Sequence, residues 1–330
     1  MSLPPAARLF TLSMAHVVPR ALHVVTELGI ADHLQDEALD CVALAAASDT
    51  GAQPDKLRRL MALLAAHGVF ETADGSHFRH NDISRLLRAD HPHSMRDFVL
   101  VQGRKSRWKA IGELKHTVLT GETGARKALG MEIFEWNAHD PEEGAIFDRA
   151  MRAKARGDVA ATLEAYDFSG AGQIVDIGGG AGHLIDAISR KTGRRGILFD
   201  LPHVGDRLRG TELPFDVATG DFFADPLPAG DTYLLMHVLH DWNDDDARRI
   251  LAAVRGAARP GCRLLVIEML IPQESVPHPA RELDLLMMSV TGGRERTQAE
   301  FAELTAACGW RFERPVPLSR PIVILEAIAV

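Results

Sequence analysis

Ile174-Val175-Asp176-Ile177-Gly178-Gly179-Gly180-Ala181-Gly182-His183 is the stretch whose reading decides the fold. Ile174, Val175 and Ile177 read as a buried strand. The glycines read as a turn that needs backbone freedom, and Leu184-Ile185-Asp186-Ala187-Ile188 as the start of a helix. Such a helix N-terminus offers free backbone N–H groups to a nucleotide-like ligand. The dinucleotide fingerprint has glycines at its first, third and sixth positions. Counted from Gly178 the sixth position is His183, so that fingerprint is incomplete. Asp176 before the glycines and Gly182 after them fit better an Asp-x-Gly-x-Gly-x-Gly turn, of the kind that cradles S-adenosylmethionine (SAM).

Downstream of this turn, strand and helix patterns alternate, which marks an α/β fold built on a doubly wound sheet. The pattern predicts strands at 173–178, 195–200, 215–219, 232–237 and 262–268, then Trp310–Arg314 and Ile322–Ala329. Ligands of such sheets bind beyond the carboxyl ends of the strands, so strand-end residues carry the chemistry. Asp200 follows the glycines by about 20 residues, where a carboxylate can take both ribose hydroxyls. Asp221, with Phe222 and Phe223, suits an adenine amine beside an aromatic wall, or equally a strand-to-loop cap. His240 closes the fourth strand beside Asp241, in a position for a general base or for a structural histidine. Glu268 ends the fifth apolar strand and needs a partner if buried, which His240 can supply. Glu295, in Gly292-Gly293-Arg294-Glu295-Arg296-Thr297, reads as the acid of a surface loop. The acidic run Asp244–Asp246 is most simply a helix start, and the sole candidate for a magnesium cage.

Upstream, residues 1 to about 40 read as helix with more apolar positions than one core-facing stripe requires, which fits either a core helix or a subunit interface. Helices at Ala43–Ala47 and Asp55–His67 precede two short strands about Asp74-Gly75, a hairpin-turn signal. Helix, helix and wing make a winged-helix arrangement, and Lys56, Arg58 and Arg59 raise a DNA-binding role. The formal charge of −8 and the lack of a wider basic field oppose it. His77, His80, His91 and His93 lack the ligand cluster of a metal site and read as solvated surface. Residues from about 94 to 168 read as helical, with aromatics and methionines for a core or a flat apolar pocket. Hydrophobic and charged fractions of 46% and 25% are those of a globular protein. Three scattered cysteines form no disulfide framework, and no signal peptide or membrane span is expected, which points to the cytoplasm.

Taken in order, Val-Asp-Ile-Gly-Gly-Gly-Ala-Gly (175–182), Phe-Asp-Leu-Pro-His-Val (199–204), Gly-Asp-Phe-Phe (220–223), Leu-His-Asp-Trp-Asn-Asp (239–244) and Gly-Gly-Arg-Glu-Arg-Thr (292–297) resemble the two-domain, SAM-dependent small-molecule O-methyltransferases. That family includes plant caffeate and flavonoid enzymes and bacterial tailoring enzymes of aromatic polyketides. The resemblance implies a winged-helix dimerisation domain over 1–100 and a Rossmann-like methyltransferase domain over 101–330, with a helical linker at 101–168 and the sheet at 169–330. It implies a homodimer formed through the N-terminal helices and a small aromatic substrate; no metal, nucleic acid or membrane partner is expected. His240 matches the family's base, and Glu268 and Glu295 the acids that orient it. Gly178, Gly180, Asp200, Leu201, Asp221, Phe222, His237 and Arg156 match cofactor contacts. Phe147, Met151, Trp108, Asp241 and Met287 match the acceptor pocket. Met236 stands where many relatives have a lysine, and Ala155 where a serine often meets the cofactor carboxylate. The expected reaction is methyl transfer to an aromatic hydroxyl, with S-adenosylhomocysteine (SAH) as by-product. The alternative is a SAM-holding relative with hydroxylating or pericyclic chemistry.

Overall fold

The computed structural model describes residues 3–34 and 37–330. Met1, Ser2, Gln35 and Asp36, which the helical reading of 1–40 takes in, lie outside them. The chain forms two compact units: Met1–Trp108 with Trp136–Lys154, and Lys109–Glu135 with Ala155–Val330. The helical stretch 101–168 is thus shared between them.

In the first unit the expected single N-terminal helix is three: Pro5–Met14, Val17–Glu27 and Ile30–His33. A two-residue strand β1 (Leu39–Asp40) follows where helix was expected. Helices Cys41–Ser48 and Pro54–Ala66 pack Leu44, Leu57, Met61 and Leu64 onto Val25, Ile30, Phe70 and Phe78. The wing is smaller than expected. Its arms are joined by one backbone bridge, Glu71 to Arg79, while β2 (His77–Phe78) pairs antiparallel with β1. His77 leans on Asp74 at 2.7 Å, but His80 is buried and bonded to Ser84 Oγ at 3.0 Å, which corrects its reading as solvated surface. Pro5–Met14 buries none of its residues, with Leu9 70% and Phe10 68% exposed. By length and composition Pro5–Glu27 is apolar enough to cross a membrane, which the sequence reading did not anticipate. The span is broken near Ala15, and its second half packs Val25 into this core.

The second unit contains a seven-stranded sheet: β3 (Ile174–Ile177), β4 (Ile197–Asp200), β5 (Asp216–Thr219), β6 (Thr232–Met236), β7 (Arg263–Glu268), β8 (Trp310–Pro317) and β9 (Val323–Ala329). Their spatial order is β5-β4-β3-β6-β7-β9-β8. The five strands from β3 to β7 are parallel, and β9 and β8 add an antiparallel edge. Because β4 lies on one side of β3 and β6 on the other, the chain reverses direction at β3 and opens a crevice at its carboxyl end. Leu234, Leu235, Leu264, Leu265, Val266 and Ile267 are wholly buried, as continuously apolar strands covered on both faces should be.

Candidate active site

The glycine turn closes β3. Gly178, Gly180 and Gly182 have φ of +66°, +59° and +75°, a region that disfavours other side chains. At Gly179 the constraint is space, since a Cβ would lie 2.5 Å from Asp176 Oδ2 and 2.8 Å from Leu198 Cδ1. Asp176 is buried beneath the turn. Burial first, and Asp200 second, push its pKa up to about 7. Asp200, at the end of β4, accepts the Gly180 N–H at 2.8 Å and the Leu201 N–H at 2.7 Å. Its carboxylate therefore ties the turn to β4, and burial raises its pKa. Asp221 accepts the Phe223 N–H at 2.8 Å, so it does cap the loop after β5. Phe222 packs edge-on against Phe223 and Trp242, with its ring 3.9 Å from a Gly178 Cβ position. Leu201 is exposed at the same rim, and Arg156 is exposed on the helix Pro141–Ala165. The turn, the Asp200 carboxylate and the Phe222 ring lie at the carboxyl ends of the strands and could hold an adenosyl ligand.

β6 runs out at His237, whose φ of +55° puts a non-glycine residue in the left-handed region. The imidazole helps hold it there, with Nε2 2.9 Å from Asp158 Oδ2. Asp158 is buried and also accepts from Arg320 Nε at 2.6 Å. Burial would raise the Asp158 pKa, but His237 and Arg320 outweigh it and hold it low. One turn of 3-10 helix, Leu239–Asp241, then carries His240 inward.

Glu268, at the end of β7, is wholly buried, and its Oε1 accepts the N–H groups of Val238 at 3.1 Å and Leu239 at 3.0 Å, with His240 N at 3.4 Å. The His240 ring goes elsewhere, with Nδ1 2.7 Å from Glu295 Oε1 and 3.9 Å from Glu268 Oε2. The expectation that Glu268 pairs with the ring is therefore corrected: Glu268 fixes the backbone of the turn and Glu295 fixes the imidazole. Glu295 is 0% exposed, which overturns its reading as a surface-loop acid. Its own N–H donates to Asp284 Oδ1 at 2.9 Å. With Nδ1–H directed at Glu295, Nε2 is the nitrogen left to accept a proton. Asp241 Oδ1 is 3.9 Å from Nε2, too far for a hydrogen bond. Burial alone would lower the His240 pKa, but Glu268, Asp241 and Glu295 together raise it to about 9.

His237, His240 and Glu268 also place potential ligand atoms within 4.8 Å of one another. The His240 Nδ1 of this group is already engaged by Glu295, while Glu268 Oε2 lies 3.6 Å from His237 Nδ1 and 3.9 Å from His240 Nδ1. Of the expected acceptor-pocket residues, Asp241 and the buried Met287 belong to the second unit. In the first unit, Phe147 and Met151 pack on Val101, Ile146 and Ala150, and Trp108 donates its indole N–H to His23 Nδ1 at 3.2 Å.

Sequence reasoning missed Asp158, Asp284 and Arg296. Asp244 does open the helix Asp244–Ala257 as expected, but it is also gripped by two arginines, Arg294 and Arg296. The available signal was the alternation Arg294-Glu295-Arg296, which in extended chain sends the arginines one way and the glutamate the other.

A glycine turn shaped for a nucleoside, beside a buried histidine–glutamate pair, defines an adenosyl-dependent group-transfer enzyme. Residues 111–311 match the O-methyltransferase domain family and residues 10–90 the O-methyltransferase dimerisation domain family. A mitomycin biosynthesis 6-O-methyltransferase of Streptomyces lavendulae is 38% identical, over 93% of this chain and 90% of that protein. A phenazine O-methyltransferase of Lysobacter antibioticus is 35% identical, over 99% and 97%. Among solved structures, the O-methyltransferase of neocarzinostatin biosynthesis, in complex with SAH and 1,4-dihydroxy-2-naphthoic acid, superimposes with a TM-score of 0.77 at 31% identity, covering 94% of this chain and 96% of that one. The chain belongs to the SAM-dependent O-methyltransferase family.

Proposed function

We propose that this protein methylates a hydroxyl of a small aromatic natural product, with His240 as general base. The observation that carries the reading is the buried His240 Nδ1–Glu295 contact of 2.7 Å at a strand end, which leaves Nε2 as acceptor. SAM, when bound, supplies an electrophilic methyl on a sulfonium. The protein must bind and orient the acceptor, exclude water and take one proton. A phenol has a pKa near about 10, like tyrosine, so it is mostly protonated at neutral pH. As the new carbon–oxygen bond forms, the hydroxyl proton passes to Nε2, and Glu295 and Glu268 stabilise the imidazolium. With its pKa raised to about 9 the ring is mostly protonated at neutral pH, so it acts as base through its neutral fraction, which grows as pH rises towards 9.

Gly178, Gly180, Asp200, Leu201, Asp221, Phe222, His237 and Arg156 are assigned to the cofactor, and Phe147, Met151, Trp108, Asp241 and Met287 to the acceptor, by the family resemblance. No metal is required, because the imidazole takes the proton. The exposed apolar Pro5–Met14 helix, within a stretch that includes a dimerisation-domain match, supports a homodimer rather than membrane or nucleic-acid binding. In the same stretch Asp55 is 3.2 Å from Lys56 and 3.6 Å from Arg58, which tempers their basic face. Three free cysteines suit a reducing cytoplasm. The relatives' names favour methylation over non-methylating chemistry. Mass spectrometry after incubation with SAM and a panel of phenols tests the reading: a product heavier by one methylene supports it. Conversion of a hydroxylated aromatic without that gain would replace it.

A further inference from the structure

We infer that Arg296 is a positioning residue for methyl transfer, locking the turn that carries His240. The inference rests on His240 being the base. Arg296 is 1% exposed, although an arginine is seldom buried without a full set of partners. Its guanidinium has five N–H donors in a rigid fork, and it makes four hydrogen bonds and one further ion contact. Nε donates to Asp244 Oδ1 at 2.9 Å; Nη1 donates to the carbonyls of Leu239 at 2.9 Å and Arg294 at 3.3 Å. Nη2 donates to the Trp242 carbonyl at 2.9 Å and lies 2.8 Å from Asp244 Oδ1. Leu239 and Trp242 flank His240 and Asp241, so one side chain holds the turn on both sides of the base.

The same extended segment grips His240 from its other side. Glu295 holds the ring, and at Gly293 a Cβ would fall 2.1 Å from the His240 carbonyl oxygen, so only glycine permits this approach. Arg296 thus fixes the backbone from which His240 projects, while its chain neighbour fixes the ring. Loosening the fork would let the turn shift relative to Glu295 without removing any group that touches substrate. A misplacement of about 1 Å at a catalytic group can cost on the order of a hundredfold in rate.

Arg296→Lys keeps the charge but has three donors on a flexible stem, so it cannot reproduce the fork. Arg294→Ala is the control: the Arg294 side chain is 41% exposed and also contacts Asp244, at 3.1 Å, but donates to neither turn carbonyl. With the full-length enzyme, Arg296→Lys should lower kcat by about ten- to a hundredfold while SAM affinity stays within about twofold. It should also move the pH inflection of kcat/KM to lower pH, as His240 loses its fixed carboxylate partner. Arg294→Ala should leave both near wild type. An NMR titration of the His240 ring in Arg296→Lys reads the same shift without turnover. A folded Arg296→Lys with wild-type kcat and an unmoved His240 titration, whatever its melting temperature, would overturn the inference. An active His240→Ala would instead overturn the reading beneath it.

Discussion

Replacing Glu295 by glutamine isolates one term of the proposed chemistry. The amide oxygen can still accept the His240 Nδ1–H now held at 2.7 Å, so the tautomer and the orientation of Nε2 persist, and only the negative charge is lost. Hydrogen bonds to charged groups are worth roughly 1.5–3 kcal/mol; with imidazolium as donor a carboxylate lies at the top of that range and an amide at the bottom, so imidazolium formation loses about 1.5 kcal/mol. That corresponds to about a tenfold fall in kcat. Glu268 still acts on the imidazole, so its pKa should fall from about 9 without collapsing. Initial rates of transfer from methyl-labelled SAM, measured from neutral to alkaline pH, should show the smaller kcat and an inflection at lower pH. Wild-type kcat together with a wild-type inflection would refute the reasoning, because the shortest contact of the base would then contribute nothing to proton transfer.

Three further outcomes follow from the same geometry. The wild-type kcat/KM should rise with pH towards an inflection near 9, where an unshifted histidine would place it near about 6.5. Since the folded pKa is the higher one, the stability that protonated His240 contributes is full below about 6.5 and should fade, in denaturant titrations, as pH rises through 9. Gly179→Ala pushes a Cβ within 2.5 Å of Asp176 Oδ2, so calorimetry should show weakened SAM binding and overpacking should cost about 1–3 kcal/mol of stability; unchanged SAM affinity would contradict the assigned cradle. Dialysis against EDTA should leave turnover unchanged, and recovery only on adding a divalent ion would show that His237, His240 and Glu268 hold a metal.

Much of the catalytic half was legible in the sequence because its signals are local. A glycine run after an apolar strand and carboxylates at strand ends each declare themselves within a few residues. The division of labour between Glu268 and Glu295 was not legible. Which acid meets backbone and which meets the ring depends on how β7 and the 292–297 loop converge, and both are simply glutamates in sequence. Arg296 was hidden for a related reason, since its acceptors are main-chain carbonyls that every residue possesses. In the N-terminal unit, periodicity marked Pro5–Met14 as apolar but gave no way to tell core from interface, and its exposed Leu9 and Phe10 appear only in the folded chain. The wing misled in the other direction. Asp74-Gly75 does turn, with Gly75 at φ +72°, yet β2 takes its main partner from Leu39–Asp40, far away in sequence.

The central claim is that His240 removes the acceptor proton during methyl transfer. His240→Ala, assayed with labelled SAM and a phenol that the wild type methylates, measures it most directly, with SAM binding followed by calorimetry on the same preparation. The account predicts a loss of turnover on the order of a hundred- to ten-thousandfold, with SAM affinity largely retained. Near-normal methylation by His240→Ala would contradict it.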